Sequence, residues 1–308
     1  MAPKTVIVSA PGKLHLAGEH VVVHGKPAVV VATSKRLYVT FSQAQADEAH
    51  NKTDLTHIRH QDTFIDTIVS TVEKHYQQKI AHVNCTINSD IPIGQGMGSS
   101  AALSVALIGA ISVYFGKTWN PTLINELAYK AEKVKHVNAS GSDPTIVVHG
   151  GILWYRKELD FLKTFWLLPF KLPKTMAQYV LIDTGRTETT GDLVVEVARY
   201  KKSHEQAFIL LATQIEEITR QMVQAIHDED QRLFCKCIKQ NQYLLEKLPV
   251  VSSSTKKLIR AIETIGGYAK ISGAGGVKKG SGIVIALHNN PKKLIALAKQ
   301  QQYQLFLS

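Results

Sequence analysis

Short apolar runs bounded by Gly, Pro and polar residues form the first regular pattern in the chain. Val6-Ile7-Val8, Ala28-Val29-Val30-Val31 and Tyr38-Val39-Thr40-Phe41 are rich in β-branched and aromatic residues. That composition predicts strands over 6–9, 28–32 and 38–41. The period then changes: Phe64, Ile65, Ile68, Val69 and Val72 recur at helical spacing, which predicts a helix over 62–76, and the alternation that follows predicts a strand over 83–87. Next comes a glycine-rich turn, Gly94-Gln95-Gly96-Met97-Gly98, entering an alanine-rich apolar run at Ser99-Ser100. Serine at a helix entry caps orphan amides, so a serine-capped helix is expected there. A helix from 121 to about 136, a loop through Gly141 and a strand over 152–155 complete the first half.

After a junction at 169–173 the pattern predicts a strand over 179–182, long helical stretches from 190 to 248 and a helix over 253–265. A strand pair at 268–271 and 283–287 flanks a second glycine loop, and a last helix and strand close the chain. This order reads as a two-domain α+β protein, neither a doubly wound sheet nor a repeat array. The expected division is 1–172 and 173–308.

Composition narrows the classes. With 308 residues, 44% of them hydrophobic, the chain can bury a sizeable core, which excludes disorder. No apolar stretch is long enough to cross a bilayer, and Met1-Ala2-Pro3-Lys4 leads into a strand-like run instead of a signal peptide. A soluble cytoplasmic protein without a membrane partner is expected. Cys85, Cys235 and Cys237 show no metal-ligand spacing and are expected to be reduced thiols. A formal charge of +11 favours acidic partners such as nucleotides, phosphorylated metabolites or nucleic acid. Charge does not choose among them, because pairs such as Lys256-Lys257 and Lys292-Lys293 fall in helical stretches where a solvated face explains them.

The sharpest chemical signal is Gly94-Gln95-Gly96-Met97-Gly98-Ser99-Ser100. Glycines let backbone amides approach an anion, and the following helix presents its positive N-terminus to it. The loop lacks the lysine of a Walker A motif, and its third glycine falls one position early for a dinucleotide fingerprint. Taken alone, a tight turn capped by serine explains it equally well.

Three separated segments resemble, in order, the three motifs of the GHMP kinases. The first is Pro11-Gly12-Lys13-Leu14-His15-Leu16-Ala17-Gly18-Glu19-His20-Val21-Val22-Val23-His24-Gly25, the second is the loop just described, and the third is Ser272-Gly273-Ala274-Gly275-Gly276. The sugar kinases of the family typically continue Gly-Glu-His with Thr-Asp, whereas Val21 and Val22 follow here. The third motif departs from the pattern: where the family continues with more glycines into a strand, this chain has Val277-Lys278-Lys279-Gly280-Ser281-Gly282. A solvated loop tip is the expected place for the two lysines. Between the second and third motifs, Glu132 and Ser140-Gly141-Ser142-Asp143 are similar to the family's Glu followed by Ser-Gly-x-Asp.

The resemblance implies an ATP- and Mg²⁺-dependent kinase acting on a small-molecule alcohol. Its fold would combine an N-terminal ribosomal-protein-S5-like α/β domain with a C-terminal ferredoxin-like α+β domain. Gly94, Gly96, Met97, Gly98, Ser99 and Ser100 would cradle the ATP phosphates, Ser100 and Glu132 would hold Mg²⁺, and Thr190 would approach the γ-phosphate unless it is a plain helix cap. Asp143 would take the proton of the acceptor hydroxyl, unless it serves only as a helix N-cap before Pro144. Lys13 beside it would offset charge on the transferring group. Lys13, Glu19, His20, Asp143, Gly273 and Ala274 would line the acceptor, although His20 could equally be a core histidine satisfied by backbone. A phosphorylated acceptor or a sugar stays open, as does a homodimer. From another class, a non-catalytic nucleic-acid-binding or metabolite-sensing protein could share the fold. Lys13, Ser100, Glu132 and Asp143 all being present argues against it, as does the lack of an Arg and aromatic platform, so no nucleic-acid partner is expected.

Overall fold

The computed structural model describes residues 5–43, 54–80, 83–135 and 139–307. The chain opens with β1 (Thr5–Ala17), a 3-10 turn at Val21–His24 and β2 (Pro27–Gln43), followed by α1 (Leu55–Gln61), α2 (Thr63–Tyr76) and β3 (Val83–Ser89). Helices α3 (Ser99–Tyr114), α4 (Pro121–Lys135) and α5 (Ser142–His149) precede a hairpin of β4 (Ile152–Lys157) and β5 (Lys163–Leu167). Then come α6 (Lys174–Ala177), β6 (Tyr179–Asp183), α7 (Thr190–Ser203), α8 (Glu205–His227), α9 (Gln231–Leu245) and α10 (Ser253–Thr264). The chain ends with β7 (Tyr268–Ile271), β8 (Ile283–Leu287), α11 (Pro291–Gln300) and β9 (Gln304–Leu307). This is the mixed α+β protein the pattern predicted. The expected helix end at about His136 and the opening residues 1–4 lie outside the described residues.

The chain groups into two compact units, residues 1–13, 32–92 and 98–150 in the first, and 14–31, 93–97 and 151–308 in the second. In the first unit, residues 37–43 of β2 pair antiparallel with β3, from Leu37 opposite Ser89 to Gln43 opposite Val83. Its centre is α3, whose apolar residues face every direction: Ala101, Ala102, Val105, Leu107, Ile108 and Ile111 are all buried. Such a helix is stable only when enclosed, and α2, α4 and α5 all pack on it.

In the second unit, Pro27 to Val31 of β2 pair antiparallel with β4, which pairs in turn with β5. A separate four-stranded antiparallel sheet runs in the order β7-β8-β6-β9. Its inner strand β8 reads Ile-Val-Ile-Ala-Leu and is buried throughout, with α9 and α10 packing on β7 and α11 on the other strands.

Two expectations change. The segments 28–32 and 38–41 belong to one continuous strand, and β1 runs on through Lys13 to Ala17. The polar residues Ser34, Lys35 and Arg36 that suggested a break sit mid-strand, where Arg36 donates to the Ser9 side chain and carbonyl. The helical stretches expected over 190–248 form one run of three helices, as the pattern predicted. It breaks at His204 and again at Glu229, whose φ of 55° no helix interior accommodates; Asp230 then caps α9 by accepting from the Leu233 amide.

Candidate active site

In the first unit the glycine turn ends at Gly98, which is the N-cap residue of α3 with a left-handed φ of 75° and no side-chain cap. Serine capping, expected from the sequence, does not occur. A residue with a β-carbon adopts this φ poorly, so glycine takes the cap and Ser99 and Ser100 fill the first helical positions. The first amides of a helix have no intrahelical acceptor, and with no side chain capping them the start of α3 suits an anion.

Lys13 reaches this turn from β1. A β-carbon on Gly98 would lie 2.7 Å from Cγ of Lys13, so the lysine stem rests flat against the glycine. Its Nζ is 3.1 Å from Oδ2 of Asp143, with the two side chains 4% and 30% exposed. Asp143 lies in the first turn of α5 and is not its cap, since Gly141 (φ 88°) holds that position. The Ser142 hydroxyl donates to Asp143 Oδ1 at 3.3 Å. Glu132 is buried on α4, a helix packed against both α3 and α5. The first unit therefore brings Lys13, Asp143 and the Gly98-Ser99-Ser100 turn together, with Glu132 on the adjoining helix.

The second unit holds the remaining predicted residues. Gly94 and Gly96 both have positive φ, and the Gln95 carbonyl between them accepts from the Ile283 amide at 3.1 Å. Met97 is fully buried, so its side chain anchors the turn and only its backbone remains for a ligand. Thr190 occupies the first position of α7, while Thr189 is the cap and forms a capping box with Asp192. Thr190 is thus not the cap, and its hydroxyl is not engaged in that role.

Glu19 and His20 follow the end of β1. Lys270 Nζ donates to Glu19 Oε1, to the His15 carbonyl at 3.0 Å and to the Ile271 carbonyl at 2.7 Å. Asn241 Nδ2 donates to Glu19 Oε2 at 3.1 Å. Burial disfavours the Glu19 charge, but the Lys270 ammonium, the neighbouring His15 and the hydrogen bonds to the carboxylate together outweigh it and hold the carboxyl below its ordinary range. His20 has a φ of 64°, a left-handed conformation that strains a residue other than glycine. Its Nε2–H donates to the Ala274 carbonyl at 3.0 Å, and burial pushes its pKa down to about 4, so the ring is neutral. This hydrogen bond joins His20 to the third glycine loop, two of whose residues, Gly273 and Ala274, were predicted beside it.

Lys270, Asn241 and Glu188 were not anticipated. Glu188 Oε1 accepts from the amides of Val277 and Lys278 at 3.0 and 2.8 Å, fixing the unusual segment after the third motif, while the side chains of Lys278 and Lys279 are exposed. A signal for Lys270 did exist: a lone lysine within Tyr-Ala-Lys-Ile, a strand otherwise suited to burial, requires a buried partner. Nothing in the sequence says that the partner is Glu19.

Residues 63–151 match the family model "GHMP kinases N terminal domain". Over 88% of its length the chain is 31% identical to a mevalonate kinase of Thermococcus sibiricus, covering 86% of that protein. It is 29% identical to a mevalonate kinase of Pyrococcus horikoshii, with 96% of this chain and 92% of that protein covered. Among solved structures, that of L. major mevalonate kinase in complex with R-mevalonate shares the fold with a TM-score of 0.78 at 22% identity, covering 97% of this chain and 93% of the other. The chain belongs to the mevalonate kinase family of the GHMP kinases. It is an ATP-dependent kinase.

Proposed function

We propose that the chain transfers the γ-phosphate of MgATP to the C5 hydroxyl of mevalonate. The observation that carries this reading is the Lys13–Asp143 pair against the start of α3, because it sets a proton acceptor and a cation beside an uncapped helix N-terminus. Asp143 would take the acceptor hydroxyl proton as that oxygen bonds to the γ-phosphorus. The bond to the β–γ bridging oxygen breaks and ADP leaves. Lys13 would orient Asp143 and offset the charge that gathers on the transferring group. The amides of Ser99 and Ser100, with Gly94, Gly96, the Met97 backbone and Gly98, would hold the phosphates, and Thr190 would approach the γ-phosphate.

Mg²⁺ fits the donors available. Ser100 and Glu132 offer a hydroxyl and a carboxylate oxygen, both hard ligands, and Mg²⁺ normally takes one or two protein ligands with water and phosphate completing the shell. Among the described residues no cluster of three or more His, Cys, Asp or Glu forms a self-sufficient metal site, as suits an ion carried by the nucleotide. When bound, it would neutralise charge on the β- and γ-phosphates.

For the acceptor, Glu19 sealed against Lys270 would fix the backbone that presents His20, and His20 with Gly273 and Ala274 would contact mevalonate. On this reading residues 1–172 form the ATP-binding domain and 173–308 the second domain, in the cytoplasm. The test measures ADP release with ATP and Mg²⁺ against mevalonate, phosphomevalonate and galactose in parallel. Turnover is expected with mevalonate. Turnover with phosphomevalonate instead would move the acceptor assignment to the 277–282 segment, where the chain departs from its family, and no turnover with any of the three would overturn the reading.

A further inference from the structure

Two neighbouring amides of α9 reach the third motif and the end of β1. β7 is an outer strand of its sheet. The Ser272 amide donates inward to the Ile283 carbonyl of β8 at 2.8 Å, so the Ile271 amide, one residue earlier, faces the open edge. Gln242 Oε1 accepts from it at 2.9 Å, which satisfies a donor that burial would otherwise penalise. Gln242 Nε2 donates to Glu246 Oε1 at 3.0 Å. Held at both ends of its amide, Gln242 sets the register of α9 on β7.

Asn241, the residue before it, is fully buried. Its Nδ2 donates to Glu19 Oε2 at 3.1 Å, while its Oδ1 is buried with no hydrogen-bond partner among the described residues. An unpaired buried carbonyl costs free energy. The amide cannot turn over to relieve it, because Oδ1 would then meet the Glu19 carboxylate, which only accepts. Leucine, branched at the same carbon, would avoid the cost altogether. What asparagine adds is a donor for the second carboxylate oxygen, and bonds to a charged acceptor are the strong ones. Lys270 already holds the first oxygen. One contact would leave the carboxylate free to swing about the ammonium; two fix it.

The backbone beside that carboxylate is strained. His20 follows Glu19 with its φ of 64°, and the Glu19 carbonyl accepts from the Val21 amide at 2.7 Å across it. Such strain persists only where the surroundings over-determine it. We propose that Asn241 is a positioning residue for the acceptor: by fixing Glu19 Oε2 from α9, it keeps the Glu19-His20 turn in the conformation that presents His20 to the substrate. This rests on the reading in which His20, Gly273 and Ala274 contact mevalonate. The proton-accepting pair, Lys13 and Asp143, belongs to the other unit, so loss of Asn241 should weaken acceptor binding far more than it slows transfer.

Steady-state kinetics of Asn241→Leu with mevalonate and ATP, beside hydrogen exchange of the full chain over residues 18–24, test it. The acceptor KM is expected to rise about tenfold, with the ATP KM within about twofold of wild type and kcat lowered by less than about threefold. Amides over 18–24 should exchange about tenfold faster. The double variant Asn241→Asp with Glu19→Gln exchanges donor for acceptor at the same contact and keeps the net charge of the pair. It should bring the acceptor KM back to within about threefold of wild type, and it decides the matter if Asn241→Leu does not fold. A melting temperature that falls while the acceptor KM stays put would show that Asn241 only packs α9, and would overturn the proposal. So would a double variant that recovers nothing, or an 18–24 segment that exchanges as in the wild type. A wild type that turns over no mevalonate would overturn the acceptor reading instead, and the exchange rates would still decide whether Asn241 holds the turn.

Discussion

Each unit of the molecule contains a lysine–carboxylate pair beside a glycine-rich segment, and the two pairs differ in how they meet solvent. Lys13 and Asp143 are 3.1 Å apart with the carboxylate 30% exposed. Lys270 and Glu19 are sealed, with their remaining hydrogen-bonding capacity taken by Asn241 and by the His15 and Ile271 carbonyls. A group that must receive a proton from a substrate needs an open side; a group that fixes backbone does not. The difference suits the proposed reading, in which the first pair carries the chemistry and the second positions backbone. A buried pair is weak evidence for stability as such, since desolvation offsets the attraction, but breaking one partner strands a charge.

The largest effect should therefore come from the sealed pair. Lys270→Met leaves the Glu19 carboxylate buried without its cation and is expected to lower the unfolding free energy by about 3–5 kcal/mol. Urea denaturation measures it, and the double variant Glu19→Gln with Lys270→Met should recover much of the loss. Equal losses in the single and double variants would show that packing of the lysine stem, and not its charge, holds β7 to the end of β1.

Asp143→Asn is the opposite case. Turnover should fall by about two orders of magnitude or more, roughly 2.7 kcal/mol in barrier, while nucleotide binding and the urea midpoint stay close to wild type. A fall in stability comparable to that of Lys270→Met would erase the contrast between an open pair and a sealed one.

Acid sharpens the comparison through His20, which lies between the sealed pair and the third glycine loop. Burial lowers its pKa from 6.5 to about 4, with Glu19 pulling the other way and His15 adding to the fall. Between these values the unfolded chain binds a proton that the folded chain refuses, so stability is full above about pH 6.5 and drops as pH falls toward 4. From pH 7 to pH 5 the contribution is on the order of 2 kcal/mol. His20→Gln should flatten this part of the stability–pH curve; an unchanged slope would mean that His20 is not kept neutral by its surroundings.

The first pair was legible in the sequence and the second was not, for a physical reason. Lys13 and Asp143 each sit in a segment that resembles a GHMP kinase motif, and Gly98 in a glycine turn opening a helix; local chemistry alone marked only the turn and an acid just before Pro144. Lys270 and Glu19 are 251 positions apart, and no local period links a strand lysine to a glutamate near the N-terminus. The same limit explains β2, read as two strands because Ser34, Lys35 and Arg36 look like a break, when Arg36 is held by Ser9 of β1. The serine cap of α3 failed for a different reason. Residue preference foretells that a helix begins, but the backbone angle at the turn, recorded in Gly98, decides which residue takes the cap.

Glu188 offers the smallest effect and a third kind of buried carboxylate, one held by backbone amides in place of a cation. Burial disfavours its charge, but the amides of Val277 and Lys278 and the Thr187 hydroxyl outweigh this and hold its pKa below the ordinary range, so its contribution is present near neutrality and is lost as pH falls through that lowered value. Glu188→Gln keeps an oxygen acceptor of the same shape and removes the charge, which roughly halves the strength of such bonds. The expected loss is about 1 kcal/mol, confined to the segment after the third motif. Hydrogen exchange reads it directly: the Val277 and Lys278 amides should exchange about fivefold faster at neutral pH, with β7 and β8 unaffected. Exchange that speeds up along β7 as well would mean that the segment and the Lys270 strand open together, and that the sealed pair extends its hold as far as the loop.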